Sequence, residues 1–201
     1  METLVMRSAD GCTDSPWSPR ECELLAVTLQ LLQEHGYDRL TVDAVAATAR
    51  ASKATIYRRW PTKAELVFAA FVEGTRQAAV DPDTGALRDD LLRLGENIAA
   101  HVGTHAGTIR AVLVEMSRSA EFGAMMQEQF LDQRKALIQR ILTRAVARGE
   151  IAAAAITEDL WDVLPGYLIF RSVLTGRSPS HQTVHDLVDN VLMPGLTRGS
   201  T

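Results

Sequence analysis

Between Thr41 and Glu65 the chain starts a helix three times, and each start carries a hydroxyl side chain in the capping position. Thr41 precedes Val42-Asp43-Ala44-Val45, Ser52 precedes Lys53-Ala54-Thr55-Ile56, and Thr62-Lys63-Ala64-Glu65 has the spacing of a capping box. Only Arg50-Ala51 separates the first two helices, and Pro61, which cannot continue a helix, ends the second. The spacing predicts helices over Val42 to about Ala49, Lys53 to about Trp60, and Thr62 toward Ala79. An earlier start at Ser18-Pro19-Arg20-Glu21 combines a hydroxyl cap, a proline at the first helical position and a closing glutamate. Leu25, Leu29 and Leu32 then recur at helical intervals until Gly36 supplies a left-handed stop, so the first helix covers about Pro19 to His35. Short capped helices in this succession form a helix-turn-helix.

No later segment alternates as a strand does, and the reading is all-α. Further helices are expected at Ala86 to about His101, Ile109 to about Met116, Ala120 to about Arg148 with a stop at Gly149, about 157–176 capped by Thr157, and about 182–193. That makes about nine. Pro165-Gly166 should kink the helix at 157–176 or delay its regular start. Residues 1–17 carry no period and read as a frayed arm, leaving a head at 18–65 and a larger helical domain at 66–201.

Composition bounds the function. The 201 residues are 46 % hydrophobic and 23 % charged, and none of their apolar runs reaches the roughly 18 residues of a spanning helix. Cys12 and Cys22 cannot make a disulfide framework, Cys12 lacks a cationic neighbour that would activate it, and no export signal opens the chain, so a reducing cytoplasm is expected. Net charge is −4, yet residues 36–63 hold six basic side chains against Asp38 and Asp43, a local +4. One cationic block on an acidic protein suits local phosphate neutralisation.

That block has a polarity. With Ile56 pointing inward, a rotation of about 100 degrees per residue puts Trp60 and Lys53 near the core direction, Thr55 and Tyr57 on the flanks, and Ala54 and Arg58 outside. A small, hydroxylated, cationic outer face suits a major groove. Ala54 permits close approach, Thr55 meets a base edge or thymine methyl, Arg58 addresses guanine or phosphate, and Lys53 reaches over its neighbours. The helix opening at Thr62 offers free amides with Lys63 beside them, and Tyr57 offers a phenol, both to phosphates.

Leu40-Thr41-Val42, Val45-Ala46 and the run from Ala51-Ser52-Lys53 through Ile56-Tyr57-Arg58-Arg59-Trp60-Pro61-Thr62-Lys63 to Leu66 resemble the DNA-binding domain of the tetracycline-repressor (TetR) family. The resemblance covers about 18–71. It implies a helix-turn-helix transcriptional regulator, typically a repressor, that binds palindromic operator DNA as a homodimer. In such proteins a small-molecule ligand acts through the C-terminal domain, and the last two helices, here about 157–176 and 182–193, pair in the dimer. Position by position it assigns DNA contact to Lys53, Ala54, Thr55, Tyr57 and Lys63, and Thr41, Ser52 and Arg58 complete the candidate DNA-binding set. One departure stands at Arg50, where the family usually has glycine: a left-handed arginine is strained, and its side chain is expected either to reach an operator phosphate or to lie in solvent.

For the ligand pocket the candidates are Met116, Met126, Trp161 and Tyr167, adaptable or aromatic side chains at helical spacing. Tyr167 to Gly176 also resembles a dimer-forming helix, which competes with that role. His101 with His105 and His181 with His185 have the spacing of helical metal ligands, but neither pair has a third ligand nearby in sequence, so no metal and no cofactor is expected. The chain has no nucleophile elbow, P-loop or dinucleotide fingerprint and is not expected to be an enzyme. The alternative is a helical binding protein or dimerisation module without small-molecule response or without retained DNA function, against which Lys53, Tyr57 and Lys63 count.

Overall fold

Each expected cap of the head forms a hydrogen bond in the structure, a computed structural model describing residues 15–76, 80–157 and 159–197, with the Trp161 side chain outside that description. Ser18 and Glu21 close a capping box at the start of α1 (Pro19–Arg39): the Ser18 N–H donates to Glu21 Oε2 at 2.8 Å, and the Glu21 N–H to Ser18 Oγ at 3.3 Å. Gly36 interrupts α1 at φ 75°. Thr41 Oγ1 accepts from Ala44 at the start of α2 (Val42–Thr48), Ser52 Oγ from Thr55 at α3 (Lys53–Arg59), and Thr62 Oγ1 from Glu65 at α4 (Lys63–Gly74), each at 3.1 Å. Satisfying these otherwise orphaned amides is worth about 1 kcal/mol per cap.

The chain divides into two compact units. The first holds the described part of Met1–Arg76 together with Arg110–Gly123. Here α1 packs on α4 and α2, and α2 on α3. Leu24, Leu25, Leu32, Val45, Ile56, Leu66 and Val67 are all at most 2 % exposed. Phe122, at 0 % exposure, lies edge-on to Tyr37 with ring centroids 6.1 Å apart, and Arg118 grips both Asp38 oxygens at 2.9 and 3.0 Å. Where a border was expected at 65/66, this unit includes all of α4 and the later segment Arg110–Gly123. Trp17 also belongs to the head, 5.6 Å from Trp60 between centroids with Arg59 over its ring at 4.4 Å, whereas the rest of the expected arm, through residue 14 and including Cys12, lies outside the described residues. Cys22 is not a free thiol but disulfide-bonded.

The second unit comprises the described parts of Gln77–Ile109 and Ala124–Thr201. The long α5 (Leu87–Arg118) supplies residues to both units and departs from helical geometry only at His105 (φ −113°, ψ 24°). Two helices were expected here, split near Gly103 and Gly107, and the kink at His105 lies between them, with helix on both sides. A π-turn over Gln127–Leu131 joins α6 (Ala120–Met126) to α7 (Asp132–Ala147), which ends in a left-handed cap at Gly149 (φ 75°). The next helix, α8 (Leu160–Ile169), contains Pro165 and continues as a π-turn over Phe170–Leu174. It starts later than expected: Thr157 gives Leu160 only its backbone oxygen, at 3.3 Å, and its hydroxyl is not the cap. Ser180 caps α9 (His181–Leu187), which passes through a π-turn at Val188–Leu192 into α10 (Met193–Thr197). Counted as continuous rods among the described residues there are eight helices and no strand, the expected pair at 86–116 being joined in α5 across its kink at His105.

Leu87, Leu94, Ile141, Leu142, Leu168, Val184 and Val188, each at most 2 % exposed, centre the second core. Asp81 clasps it from outside through Arg144 (2.6 and 3.1 Å) and Arg140 (3.3 Å), and these guanidiniums, Arg144 foremost, hold its carboxyl below the usual range. Gly95 permits a close crossing. A Cβ there would stand 2.6 Å from Val184 Cγ1 and 3.2 Å from Leu164 Cδ1, so α5 can approach α9 and α8 only because position 95 has no side chain.

Candidate nucleic-acid interface

The helix wheel of α3 is reproduced in three dimensions. Ile56 (0 % exposed) and Trp60 (3 %) anchor it, and Lys53, Ala54, Tyr57 and Arg58 form its exposed side, with Thr55 half-buried at the edge. Tyr57 is 45 % exposed, unusually open for an aromatic ring. Lys53, nearer the core direction on the wheel, swings outward to an exposed ion pair with Asp43 of α2. Such a pair contributes well under 1 kcal/mol in solvent and is readily exchanged for a phosphate or base. Arg58 is exposed and has no ion pair among the described residues.

The flanking candidates are all placed at helix ends. Thr41, Ser52 and Thr62 are exposed and accept a backbone N–H; the Thr62 hydroxyl in turn donates to Glu65 Oε1 at 3.2 Å, while the Thr41 hydroxyl proton remains free to be donated. Ser52 Oγ also lies 2.8 Å from Thr55 Oγ1. Lys63 does not simply extend into solvent. Its ammonium donates to Tyr37 O at 2.9 Å and Leu40 O at 3.2 Å and sits 4.2 Å above the Tyr37 ring, tying the start of α4 to the α1–α2 connection. One of its three donors is left for an anion. Burial first, then the charges of Glu115 and Asp38, push the Tyr37 phenol above its ordinary range, so the ring under Lys63 stays neutral.

The turn between α2 and α3 is a Schellman cap: the Arg50 N–H reaches Ala47 O at 3.2 Å and the Ala51 N–H reaches Ala46 O at 2.8 Å. Arg50 occupies its left-handed position at φ 50°, the one positive-φ residue other than glycine among those described. Sequence reasoning missed what supports it. Arg20 of α1 donates to Ala49 O at 2.6 Å and Arg50 O at 3.0 Å, so a guanidinium 30 residues upstream holds the strained turn. Arg59 is similarly drawn away from the outer face by Glu21 at 2.8 Å, and Ser18, foremost its N–H, together with Arg59 holds that carboxyl below its usual range. Replacing Arg50 by glycine removes the steric cost of the left-handed backbone, and Arg50→Gly should raise head stability by about 1 kcal/mol in chemical denaturation. If operator affinity is unchanged in that variant, the Arg50 side chain holds no phosphate.

The pocket candidates fall in both units. Met116 is half-buried in the first unit, Met126 is 2 % exposed in the second, and Tyr167 is 39 % exposed, with its hydroxyl accepting from Arg171 at 3.2 Å. The side chain of Trp161 lies outside the described residues.

Comparison with known proteins agrees with this geometry. Residues 24–70 match the model of bacterial regulatory proteins of the tetR family, and residues 81–191 match the tetracyclin repressor-like C-terminal domain. An uncharacterized HTH-type transcriptional regulator of Mycobacterium tuberculosis is 68 % identical over 201 residues, the whole of both chains. The DNA-binding transcriptional repressor TetR of Mycobacteroides abscessus is 35 % identical over 185 residues, 90 % of this chain and 96 % of that protein. Among solved structures, the TetR family transcription regulator SCO0332 superposes with a TM-score of 0.69 at 27 % identity, covering 89 % of this chain and 98 % of that one. With both halves matched in order on one chain, this protein belongs to the TetR family of helix-turn-helix transcriptional regulators.

Proposed function

We propose that the protein is a repressor that binds a two-fold symmetric operator as a homodimer and releases it when a small molecule enters the second unit. The observation that carries the DNA half is the outer face of α3, where Lys53, Ala54, Tyr57 and Arg58 stand exposed over a buried Ile56 and Trp60. Thr55 and these residues address the groove, while Thr41, Arg50, Ser52 and Lys63 serve phosphates. Such a role places the protein with the chromosome in the cytoplasm, and no described helix is long and apolar enough to cross a membrane. No catalytic step is assigned to it.

Dimerisation is supported by an apolar stripe. Tyr167, Phe170 and Leu174 follow one face of α8 and its π-turn at 39, 51 and 73 % exposure, and Val191, before α10, is 54 % exposed. Large hydrophobics left open at helical spacing on the last two helices suit a self-complementary four-helix contact. This stripe claims Tyr167 for the dimer face in preference to a pocket. Ligand response is supported by buried polar groups: His105 Nδ1 and Thr108 Oγ1, three residues apart on α5, have no hydrogen-bond partner among the described residues. Each such atom costs about 1–3 kcal/mol, a cost that a bound ligand with matching polar groups relieves. A ligand releases DNA only if it binds better to a state whose two α3 helices are misplaced for successive half-sites.

The test is selection of bound duplexes from a random pool by the purified protein at two salt concentrations. A two-fold symmetric motif is expected. No enrichment at either salt would overturn the operator reading.

A further inference from the structure

The geometry points to a divalent transition-metal site, best suited to Zn2+, formed by Glu96, His181 and His185 of the second unit. His181 and His185 are one turn apart on α9, their rings 6.2 Å apart between centroids. Glu96 of α5 supplies what the sequence around them lacks. Its Oε1 lies 2.8 Å from His181 Nδ1 and 3.8 Å from His185 Nε2, and one donor atom from each of the three residues lies within 4.8 Å of the others. Among the described residues this is the one such group.

The crossing of α5 and α9 creates the cluster. Gly95, directly before Glu96, meets Val184, which lies between the two histidines in sequence and is fully buried. Two turns earlier on α5, Arg88 grips both oxygens of Asp189 at 2.7 and 2.8 Å, one turn beyond His185. The helix pair is therefore held at two further points, and the three donors do not depend on one another for their approach. With metal–ligand bonds of about 2.0–2.1 Å, tetrahedral donors stand about 3.4 Å apart. The two distances to Glu96 bracket that value, and the two histidine nitrogens lie within 4.8 Å of each other, so closure draws the imidazoles together around the ion. Two imidazoles and one carboxylate suit Zn2+ and neighbouring first-row ions, whereas Mg2+ and Ca2+ prefer all-oxygen shells. His181 is 80 % exposed, which leaves the remaining coordination position to water and makes the ion exchangeable. The other pair, His101 and His105, has rings 6.3 Å apart but no third ligand: His101 Nδ1 lies 2.8 Å from Asn97 O, and burial pushes the His105 imidazole below its ordinary range.

The test is Zn2+ titration of the untagged full-length protein by calorimetry and by competition with a chromogenic chelator. The wild type is expected to bind one ion per protomer with a Kd of about 10 µM or tighter, and His181→Asn, His185→Asn and Glu96→Gln each to weaken it at least about tenfold. His101→Asn should leave it unchanged, and Mg2+ should not compete. A second readout needs no variant: Co2+ bound to the wild type should show the visible absorption of a four-coordinate site and be displaced by Zn2+. Absence of binding at about 100 µM free Zn2+, or full affinity in Glu96→Gln, overturns the site.

Discussion

Lys53→Ala combined with Tyr57→Phe is expected to weaken operator binding about 100-fold while leaving the fold intact. Each well-placed contact to a base or phosphate is worth about 1–3 kcal/mol, and the two changes remove a charge and a hydroxyl from the same exposed face. Neither side chain supports the core: Tyr57 keeps its ring as phenylalanine, and Lys53 loses only a solvent-exposed pair with Asp43. Fluorescence anisotropy across a salt series gives a second measure. If each subunit neutralises three to five phosphates, the log–log slope should be roughly −5 to −9 for the wild-type dimer and shallower by about 2 in the variant. Asp43→Asn, which frees Lys53, should tighten binding a few-fold. Equal affinity of wild type and double variant on the selected operator would remove α3 as the reading element.

Phe122→Ala should cost about 3–5 kcal/mol in stability, a large part of the roughly 5–15 kcal/mol that holds such a domain. Phe122 is fully buried, and its ring meets Tyr37, whose carbonyl and ring face both hold the Lys63 ammonium. The cavity therefore opens beneath the junction of α1, α2 and α4. Urea denaturation followed by tryptophan fluorescence reads this directly, because Trp17 and Trp60 lie tilted against each other in the same unit. The exposed Leu113 of the same 110–123 segment, replaced by alanine, should change stability by less than about 0.5 kcal/mol. A similar small effect for Phe122→Ala would show that residues 110–123 do not complete the head.

The caps at Ser18, Thr41, Ser52 and Thr62 were legible because each is complete within four residues, and a local hydrogen bond needs no tertiary partner to be specified. The outer face of α3 was legible for a related reason: one large aliphatic, Ile56, orients a seven-residue helix. The break signalled by Gly103 and Gly107 is present in α5 as the kink at His105 between them. Local reasoning failed at Thr157, whose hydroxyl is not used because α8 begins three residues later. At Arg50 the strain was visible in the sequence, but the guanidinium that steadies it was not.

The sequence by itself determined the head's helices, their caps, the polarity of α3 and the family, because all of these are encoded over a few residues or one helical face. Only the tertiary structure decided that Arg20 clamps the α2–α3 turn, that Phe122 belongs to the head, and that Glu96 stands beside His181 and His185. Glu96 is 85 residues before His181, and nothing in its neighbourhood marks it as a partner. Their meeting depends on a helix crossing permitted by one missing side chain, at Gly95, and that contact exists only once both helices have packed.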